Sequence, residues 1–348
     1  MESRRHRSEA CRSIVRWLHA VTGAAALCFV LPPTCVTAQE QSPVSGQNIR
    51  VAVDRVNVGV IVTDVQGNFV EGLQRRDFRI LDSGNVQPIT DFAPVDAPAQ
   101  VLLLLEVGPA VYLLQDSHLF VANALLNGLS AGDRVGIVVY NNAPTALLDF
   151  TADKLAVGEA LDRIQFNLGF GNLNLALSLN TVLDWLERVP GKKTIVLVSS
   201  GVDTSPTNEM QSLLPRLQTG DVRILSISMS GPLRNGNKGS KQQIRQTQQA
   251  FEQADTWLKT LSDATGGRAY FPENAKGFEA AYKQIAELVR HEYSLAFAPP
   301  KADGATHTID VRIVTSAGTE KTDKDPNNPV PEYRVDHRRG YIAPKPQQ

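Results

Sequence analysis

The sequence predicts an α/β fold in which a mainly parallel sheet, with helices on both faces, is inserted between two β segments. Three observations support this prediction. Short continuous apolar runs such as "VLLLLEV" alternate with amphipathic helical patterns after residue 100. Apolar and polar residues alternate before residue 96, and strand-like runs return after residue 290. Continuous apolar strands are typical of sheets buried on both faces, whereas alternation is typical of strands with one exposed face.

The first 38 residues have the layout of a cleaved secretory signal peptide. Five arginines, the last at Arg16, precede the short apolar stretch "AVTGAAALCFVL", and the small residues Val36 and Ala38 follow. This order of charged, apolar and small segments predicts export, either to the periplasm or out of the cell. A membrane anchor is the alternative, but the apolar run is short and is interrupted by Pro32 and Pro33. The pattern leaves open whether the Sec or the twin-arginine route is used.

Cleavage after Ala38 would remove all three cysteines, Cys11, Cys28 and Cys35. The mature chain would then have no zinc–thiolate site, thiol nucleophile or iron–sulfur cluster. Cleavage would also remove five of the 35 basic and two of the 36 acidic residues, which leaves a net charge of −4. This charge indicates no nucleic-acid partner and no anionic-lipid surface. No transmembrane anchor is predicted in the mature chain, and its oligomeric state is left open.

A polar linker over residues 39–48 precedes the first β segment, residues 49–96. Apolar and polar residues alternate in "VNVGVIVT", and the turn sequence "SGN" separates two further strand-like runs. Neither this segment nor the last one, residues 291–348, is long enough to bury much surface alone. We therefore expect the two segments to pair with each other in one small β-sandwich.

Residues 97–290 form the predicted inserted domain. The runs "VLLLLEV", "RVGIVVYN", "TIVLVSS" and "VRILSISM" predict its strands, and amphipathic patterns between them predict its helices. The polar stretch from Ser230 to Gln249 is predicted to be a mobile, solvated insertion that leads into a helix. The expected core stripes of the helices are Leu175, Leu179, Val182, Leu183 and Leu186; Met210, Leu213, Leu214 and Leu217; and Phe278, Tyr282, Ile285 and Val289.

The order of these segments resembles that of the von Willebrand factor A-related proteins of the acidobacterial type. The resemblance rests on "VNVGVIVTDVQGNFVEGLQRRDFRILDSGNVQPITDFAPV", "LSDATGGRAYFPENA", "QIAELVRHEYSLAFAP" and the closing "RRGYIAP". It covers about Val51 to Pro344. It implies a Rossmann-like von Willebrand A domain between the β segments, in a protein that binds other proteins or matrix and is not an enzyme.

The resemblance also implies where an adhesion-site metal would be bound. Domains of this type often hold Mg²⁺ through an Asp-x-Ser-x-Ser turn after the first strand, a Thr from a second loop and an Asp from a third. The matching positions here are Glu106, Gly108, Ala110, Leu173 and Ser200. Two hydroxyls and a carboxylate are missing, and neutral oxygens do little to offset the dehydration that Mg²⁺ resists. We therefore expect a degenerate site with no metal or other cofactor. The alternative is a rebuilt Mg²⁺ or Mn²⁺ site with an atypical ligand set.

Without a metal, the carboxylate of Glu106 needs other partners, because a buried charged group is costly unless it is hydrogen-bonded. The nearest expected donors are Ser199, Ser200, Asn172, Asn174 and the backbone amides of the loop after Glu106. Such bonds would tie the first and third loops together, which is a structural role. The alternative is an acid that faces a partner.

The sequence offers no catalytic constellation. The run "VSSGVD" lacks the Gly-x-Ser-x-Gly elbow and a matching Ser–His–Asp order, and "GFGNLN" lacks the lysine of a phosphate loop. We therefore predict an exported, non-enzymatic interaction or adhesion module that binds an unidentified protein partner without a metal. Two alternatives stay open, a metal-dependent adhesion protein and a structural spacer subunit of an envelope complex. The predicted partner-binding residues are Glu106, Pro109, Asn142, Asn172, Asn174, Ser200 and Asp203.

Overall fold

The computed structural model describes residues 55–96, 98–108, 111, 125–166, 172–203, 207–235, 240–314 and 333–345. The predicted signal peptide (1–38) and linker (39–48) lie outside these residues. Within the described part of the chain, no helix is both long enough and apolar enough to cross a membrane.

Fourteen strands and six helices are labelled here in chain order within the described residues. The strands are β1 (Val56–Thr63), β2 (Phe78–Asp82), β3 (Asn85–Gln87), β4 (Asp91–Asp96), β5 (Ala99–Glu106), β6 (Arg134–Tyr140), β7 (Pro144–Thr151), β8 (Lys192–Ser199), β9 (Val222–Ser228), β10 (Arg268–Tyr270), β11 (His291–Phe297), β12 (Thr306–Ile313), β13 (Arg334–His337) and β14 (Gly340–Ile342). The helices are α1 (Lys154–Asp162), α2 (Leu175–Leu186), α3 (Thr207–Thr219), α4 (Ser230–Asn235), α5 (Lys241–Ala264) and α6 (Ala275–Leu288), and a 3₁₀ turn spans Arg75–Asp77.

The central sheet has six strands in the order β10-β9-β8-β5-β6-β7. All neighbours are parallel except β6 and β7, which are antiparallel. Alternate residues of β5 belong to two different hydrophobic clusters: Leu103 and Leu105 lie in one, and Leu102 and Leu104 in the other. Both faces of the strand are therefore covered, which explains its unbroken apolar run and confirms the predicted α/β class.

The helices pack through the stripes that the sequence predicts. Of the residues in those stripes, all but Leu214 are buried, and Leu214 is partly buried. Asn174 begins α2 by accepting a hydrogen bond from the backbone N–H of Leu177, and Asn274 begins α6 in the same way.

The two flanking segments form two antiparallel four-stranded sheets, in the orders β13-β1-β11-β4 and β14-β12-β2-β3. Each sheet contains strands from both ends of the chain, and one hydrophobic cluster takes buried residues from both, including Val60, Leu295, Ile80 and Val311. The chain leaves these sheets between β4 and β5 and returns to them between α6 and β11. The exact domain boundaries given above stay a prediction.

Two features of the central region differ from the sequence prediction. The edge strand β7 was not predicted, because most of its side chains are exposed or half-buried and it begins with a proline. The stretch from Ser230 to Gln249 is not a simple solvated insertion, since Ser230 is buried in α4 and the 24-residue helix α5 already begins at Lys241. A Ser240–Gln243 capping box begins α5 and offsets its low apolar content.

Candidate functional site

Glu106 is the last residue of β5, and its side chain is only 1% exposed at the carboxyl end of the central sheet. Its Oε2 accepts hydrogen bonds from Ser199 Oγ at 2.8 Å and from the backbone N–H of Ser200 at 2.7 Å. The hydroxyl of Ser200 lies 3.0 Å from Oε1 and 2.9 Å from Oε2. The carboxylate therefore ties the end of β5 to the loop that follows β8, as the sequence predicts for a structural acid.

Tyr140 and Gly201 complete this network. The Tyr140 hydroxyl donates to Ser199 Oγ at 2.7 Å, and the Gly201 N–H donates to the same oxygen at 2.8 Å. Gly201 has φ +69°, and a Cβ there would lie 2.9 Å from the Cβ of Ala254. Only glycine fits this turn without strain, so the loop after β8 is fixed beneath the carboxylate.

The electrostatics of the network reflect its burial. Burial raises the pKa of Glu106 above its usual value, although the hydrogen bonds from Ser199 and Ser200 act in the opposite direction. Burial, followed by the neighbouring Glu106, also raises the pKa of the Tyr140 hydroxyl well above its usual value. Tyr140 thus stays protonated and acts as a donor.

Leu173 occupies the space in which a metal-binding hydroxyl would lie. A Cβ built on Gly108 would be 2.9 Å from Leu173 Cδ2 and 3.4 Å from Glu106 Oε1. Mg²⁺ needs about six oxygen ligands at roughly 2.0–2.1 Å. A leucine methyl group beside the carboxylate provides none of them. Among the described residues, no three His, Cys, Asp or Glu side chains gather in a group that could hold a metal ion.

The other predicted residues lie near the carboxyl end of the central sheet, which is called the rim below. Asn142 and Asn172 are exposed, and Asp203 is half-buried. Asn174 does not bind Glu106, because its side chain caps α2, while its backbone N–H donates to the carbonyl of Asn141 at 2.8 Å. Pro109 and Ala110 lie outside the described residues.

A second polar cluster at this end of the sheet was not predicted. Asp255 Oδ1 accepts hydrogen bonds from Ser228 Oγ at 2.6 Å and Ser230 Oγ at 2.8 Å, and Arg234 pairs with Oδ2 at 3.1 Å. The guanidinium of Arg234 offsets the charge of this acid. The only sequence signal was the serine that ends β9, Ser228, with Ser230 two residues later. Their acid comes from the middle of α5, which sequence spacing does not reveal. Tyr140 was likewise missed, although it ends a predicted strand.

Residues 116–202 match the model of the von Willebrand factor type A domain. This part of the chain is therefore similar to a von Willebrand factor type A domain. The match covers about a quarter of the chain and includes Leu173 and Ser200, but it begins after Glu106 and Gly108. The acidobacterial type and the degenerate adhesion site stay predictions.

Several solved structures are similar to this chain at low identity. An aerotolerance-related membrane protein from Bacteroides fragilis is 13% identical, with 55% of this chain and 100% of that chain covered and a TM-score of 0.40. A von Willebrand factor type A protein from Catenulispora acidiphila is 10% identical, with 85% and 76% covered and a TM-score of 0.43. Proximal thread matrix protein 1 from the mussel byssus is 13% identical, with 56% and 49% covered and a TM-score of 0.40. No curated protein matches the chain.

Proposed function

We propose that this protein is an exported, non-enzymatic interaction module whose A domain binds a protein partner at the carboxyl end of the central sheet without a metal ion. The observation that supports the metal-free proposal is the position of Leu173, whose Cδ2 would lie 2.9 Å from a Cβ on Gly108, beside a carboxylate that is already hydrogen-bonded. Export is proposed from the signal-like layout of the first 38 residues.

Metal binding at Glu106 would require several unfavourable changes. The Leu173 side chain would have to leave its buried position, where it is 8% exposed. Glu106 would also have to give up bonds from Ser199 and Ser200, and it would be the only charged ligand among the five matching positions. A single buried carboxylate offsets little of the dehydration of Mg²⁺.

The partner surface is proposed on the exposed part of the rim. A cavity of about 380 Å³ opens beside β6 and β7, lined by Val107, Asn141, Ala143, Thr145 and Leu147 among others. Leu147 is 38% exposed, and the exposed Asn142 lies between the strands. A surface that mixes apolar side chains with amides and hydroxyls is typical of protein interfaces. Glu106 and Ser200, which are buried, would then support this surface from below and not contact the partner.

The metal-free reading is tested by thermal unfolding in Mg²⁺, in Mn²⁺ and in EDTA. We expect the same midpoint for the wild-type protein in all three conditions. A variant that restores the family pattern, with Glu106→Asp, Gly108→Ser, Ala110→Ser, Leu173→Thr and Ser200→Asp, serves as the positive control. A metal-dependent rise in the wild-type midpoint that EDTA reverses and Glu106→Ala abolishes would overturn the proposal.

The partner surface is tested by crosslinking from residue 142 or 172 in the native organism, followed by pull-down with variants. Ala143→Arg places charge and bulk in the rim cavity, and Asn172→Arg does the same at the neighbouring loop. Val86→Arg is the matched control, because Val86 is 62% exposed on β3 of the sandwich. We expect the first two variants to lose the crosslinked partner and the control to retain it. Equal recovery by all three would contradict the proposed surface.

A further inference from the structure

A cavity of about 200 Å³, lined by several charged residues, lies at the amino end of the central sheet, at the opposite end from Glu106. Its walls come from the first residues of β8 and β9, from β1 and β11 of the adjacent antiparallel sheet, and from the residue that follows β13. The residues that decide its chemistry are Lys192, Thr194, Arg223, Gly59, Glu292 and Arg338.

Arg223 and Glu292 form a hydrogen-bonded ion pair in this cavity. Arg223 donates to Glu292 Oε2 at 3.0 Å, to the carbonyl of Gly59 at 3.2 Å and, through Nε, to the carbonyl of Gly266 at 3.1 Å. A Cβ on Gly59 would lie 2.8 Å from Glu292 Oε2, so glycine at this position lets the acid approach β1 closely. The single negative charge of Glu292 is thus used mainly by Arg223.

Three residues that line the cavity each have a buried polar atom with no hydrogen-bond partner among the described residues. These atoms are Lys192 Nζ, Thr194 Oγ1 and Arg338 Nε. The Thr194 side chain belongs to a residue that is only 1% exposed, and the Lys192 side chain is 11% exposed. Lys192 has a longer ion pair, 3.6 Å, to the same oxygen of Glu292 that Arg223 binds. Buried polar groups in proteins are almost always satisfied, so three unpartnered groups on residues that line one cavity favour a ligand there.

The charged side chains that line the cavity carry a net positive charge. Lys192, Arg223 and Arg338 contribute three positive charges against one from Glu292. The other two charged residues of the wall form an ion pair with each other: Lys193 Nζ lies 2.7 Å from Asp221 Oδ2. An excess of positive charge in a site partly shielded from water favours an anion and disfavours neutral or cationic ligands.

We propose that this cavity is a binding site for a small oxyanion, a phosphate or carboxylate group, held by Lys192, Thr194 and Arg338. An ammonium, a hydroxyl and a guanidinium N–H are all donors, and an oxyanion has enough lone pairs to accept from all three. The cavity exceeds the space that a single water needs, so a group of several heavy atoms fits. The site lies away from the proposed partner surface and does not depend on the proposed function.

Isothermal titration of the full-length mature protein with inorganic phosphate, and separately with acetate, tests the proposal. Ionic strength is held constant with chloride in both arms, because phosphate also stabilises proteins non-specifically by exclusion from their surface. We expect saturable binding of at least one of the two anions, and the arm that responds identifies the oxyanion as phosphate-like or carboxylate-like. An absence of saturable binding in both arms would overturn the proposal.

Three variants locate the site. Lys192→Gln removes the charge, and we expect it to weaken binding tenfold or more. Thr194→Val removes the hydroxyl at nearly constant volume, and we expect a loss of severalfold; this variant also serves as the test if Lys192→Gln does not fold. Lys283→Gln is the control, because that lysine lies 70% exposed on α6. Binding that neither Lys192→Gln nor Thr194→Val weakens would place the anion elsewhere and overturn the assignment.

Discussion

At the carboxyl end of the central sheet the buried acid Glu106 is surrounded by neutral hydroxyls and an amide, whereas at the amino end the buried side chains are mainly cations. In the first region Ser199 and Ser200 donate to the carboxylate, and Leu173 lies beside it. In the second, Arg223 binds Glu292, while Lys192 Nζ has no hydrogen-bond partner among the described residues. Arg338 Nε also has none, although the other nitrogens of its guanidinium donate to three backbone carbonyls. Polar residues at a strand end therefore do not by themselves mark a ligand site. Unmatched donors or acceptors on residues that line one cavity are a better indication of such a site.

The largest effect is expected from replacing Arg223, which joins the central sheet to the antiparallel sheet that contains β1 and β11. Arg223→Ala should lower the free energy of unfolding by about 3–5 kcal/mol, because it leaves Glu292 and two buried carbonyls without their main donor. Arg216→Ala is the matched control: this arginine also binds two carboxylates, but at the surface, where a pair contributes about 0–1 kcal/mol. Urea denaturation measures both. Equal losses of unfolding free energy for the two variants would show that the buried charges at the amino end stabilise the fold no more than the surface ion pairs do.

The next effect concerns the closed network at the carboxyl end. Ser200→Ala removes a hydroxyl that reaches both oxygens of Glu106, so the unfolding free energy should fall by about 1.5–3 kcal/mol. Ser212→Ala, on the exposed face of α3, should change it by less than about 0.5 kcal/mol. A wild-type-like stability for Ser200→Ala would mean that water replaces the hydroxyl, and the carboxyl end would then be open rather than closed.

A smaller effect tests the packing of Leu173 against Gly108, on which the metal-free proposal rests. Gly108→Ala places a methyl group 2.9 Å from Leu173 Cδ2 and should cost about 1–2 kcal/mol through overpacking. Leu173→Ala removes the obstacle, so the double variant should lose about 1 kcal/mol less than the sum of the two single losses. The double-mutant cycle is measured by chemical denaturation. Strict additivity would show that the two residues do not share this space.

The last prediction concerns a pH dependence at the amino end. Burial lowers the pKa of Lys192 from 10.5 to about 8, although Glu292 acts in the opposite direction. Between these two values the unfolded chain binds more protons at this residue than the folded chain, so stability should rise with pH. The unfolding free energy of the wild type should therefore rise relative to Lys192→Met between about pH 8 and 10. The slope cannot exceed about 1.4 kcal/mol per pH unit, since one proton is exchanged. Parallel pH profiles for the two proteins would show that Lys192 is well solvated.

Much of the fold was predictable because its signals are local. The apolar run of β5 and the leucine stripe of α2 each specify a strand or a helix within a dozen residues, and the resemblance supplied their order. The partners of Glu106 were partly predictable, since Ser199 and Ser200 follow a strand that must end at the same edge as β5. Asn174, by contrast, could either donate to Glu106 or cap the following helix, and in the structure its side chain caps that helix.

The remaining features depend on distances that sequence spacing does not encode. The position of Leu173 against Gly108 follows from how two loops meet, and a shift of one residue would remove the contact. The cavity at the amino end is built from strands of two sheets, and its charge excess appears only when Lys192 and Arg338 are placed together. The edge strand β7 gave no clear pattern because it has little apolar surface to bury.

The position of β1 has a consequence for how the chain folds. This strand lies between β11 and β13, so that Val60 pairs with Tyr293 on one side and His337 on the other. Both partners follow the whole central domain in the sequence, and neither exists when β1 is first made. The central sheet can assemble from contacts within its own segment, but the sandwich must wait for the last strands to be synthesised. Until then the valines of β1 remain exposed, so this segment is the part of the chain that a holding chaperone would need to protect.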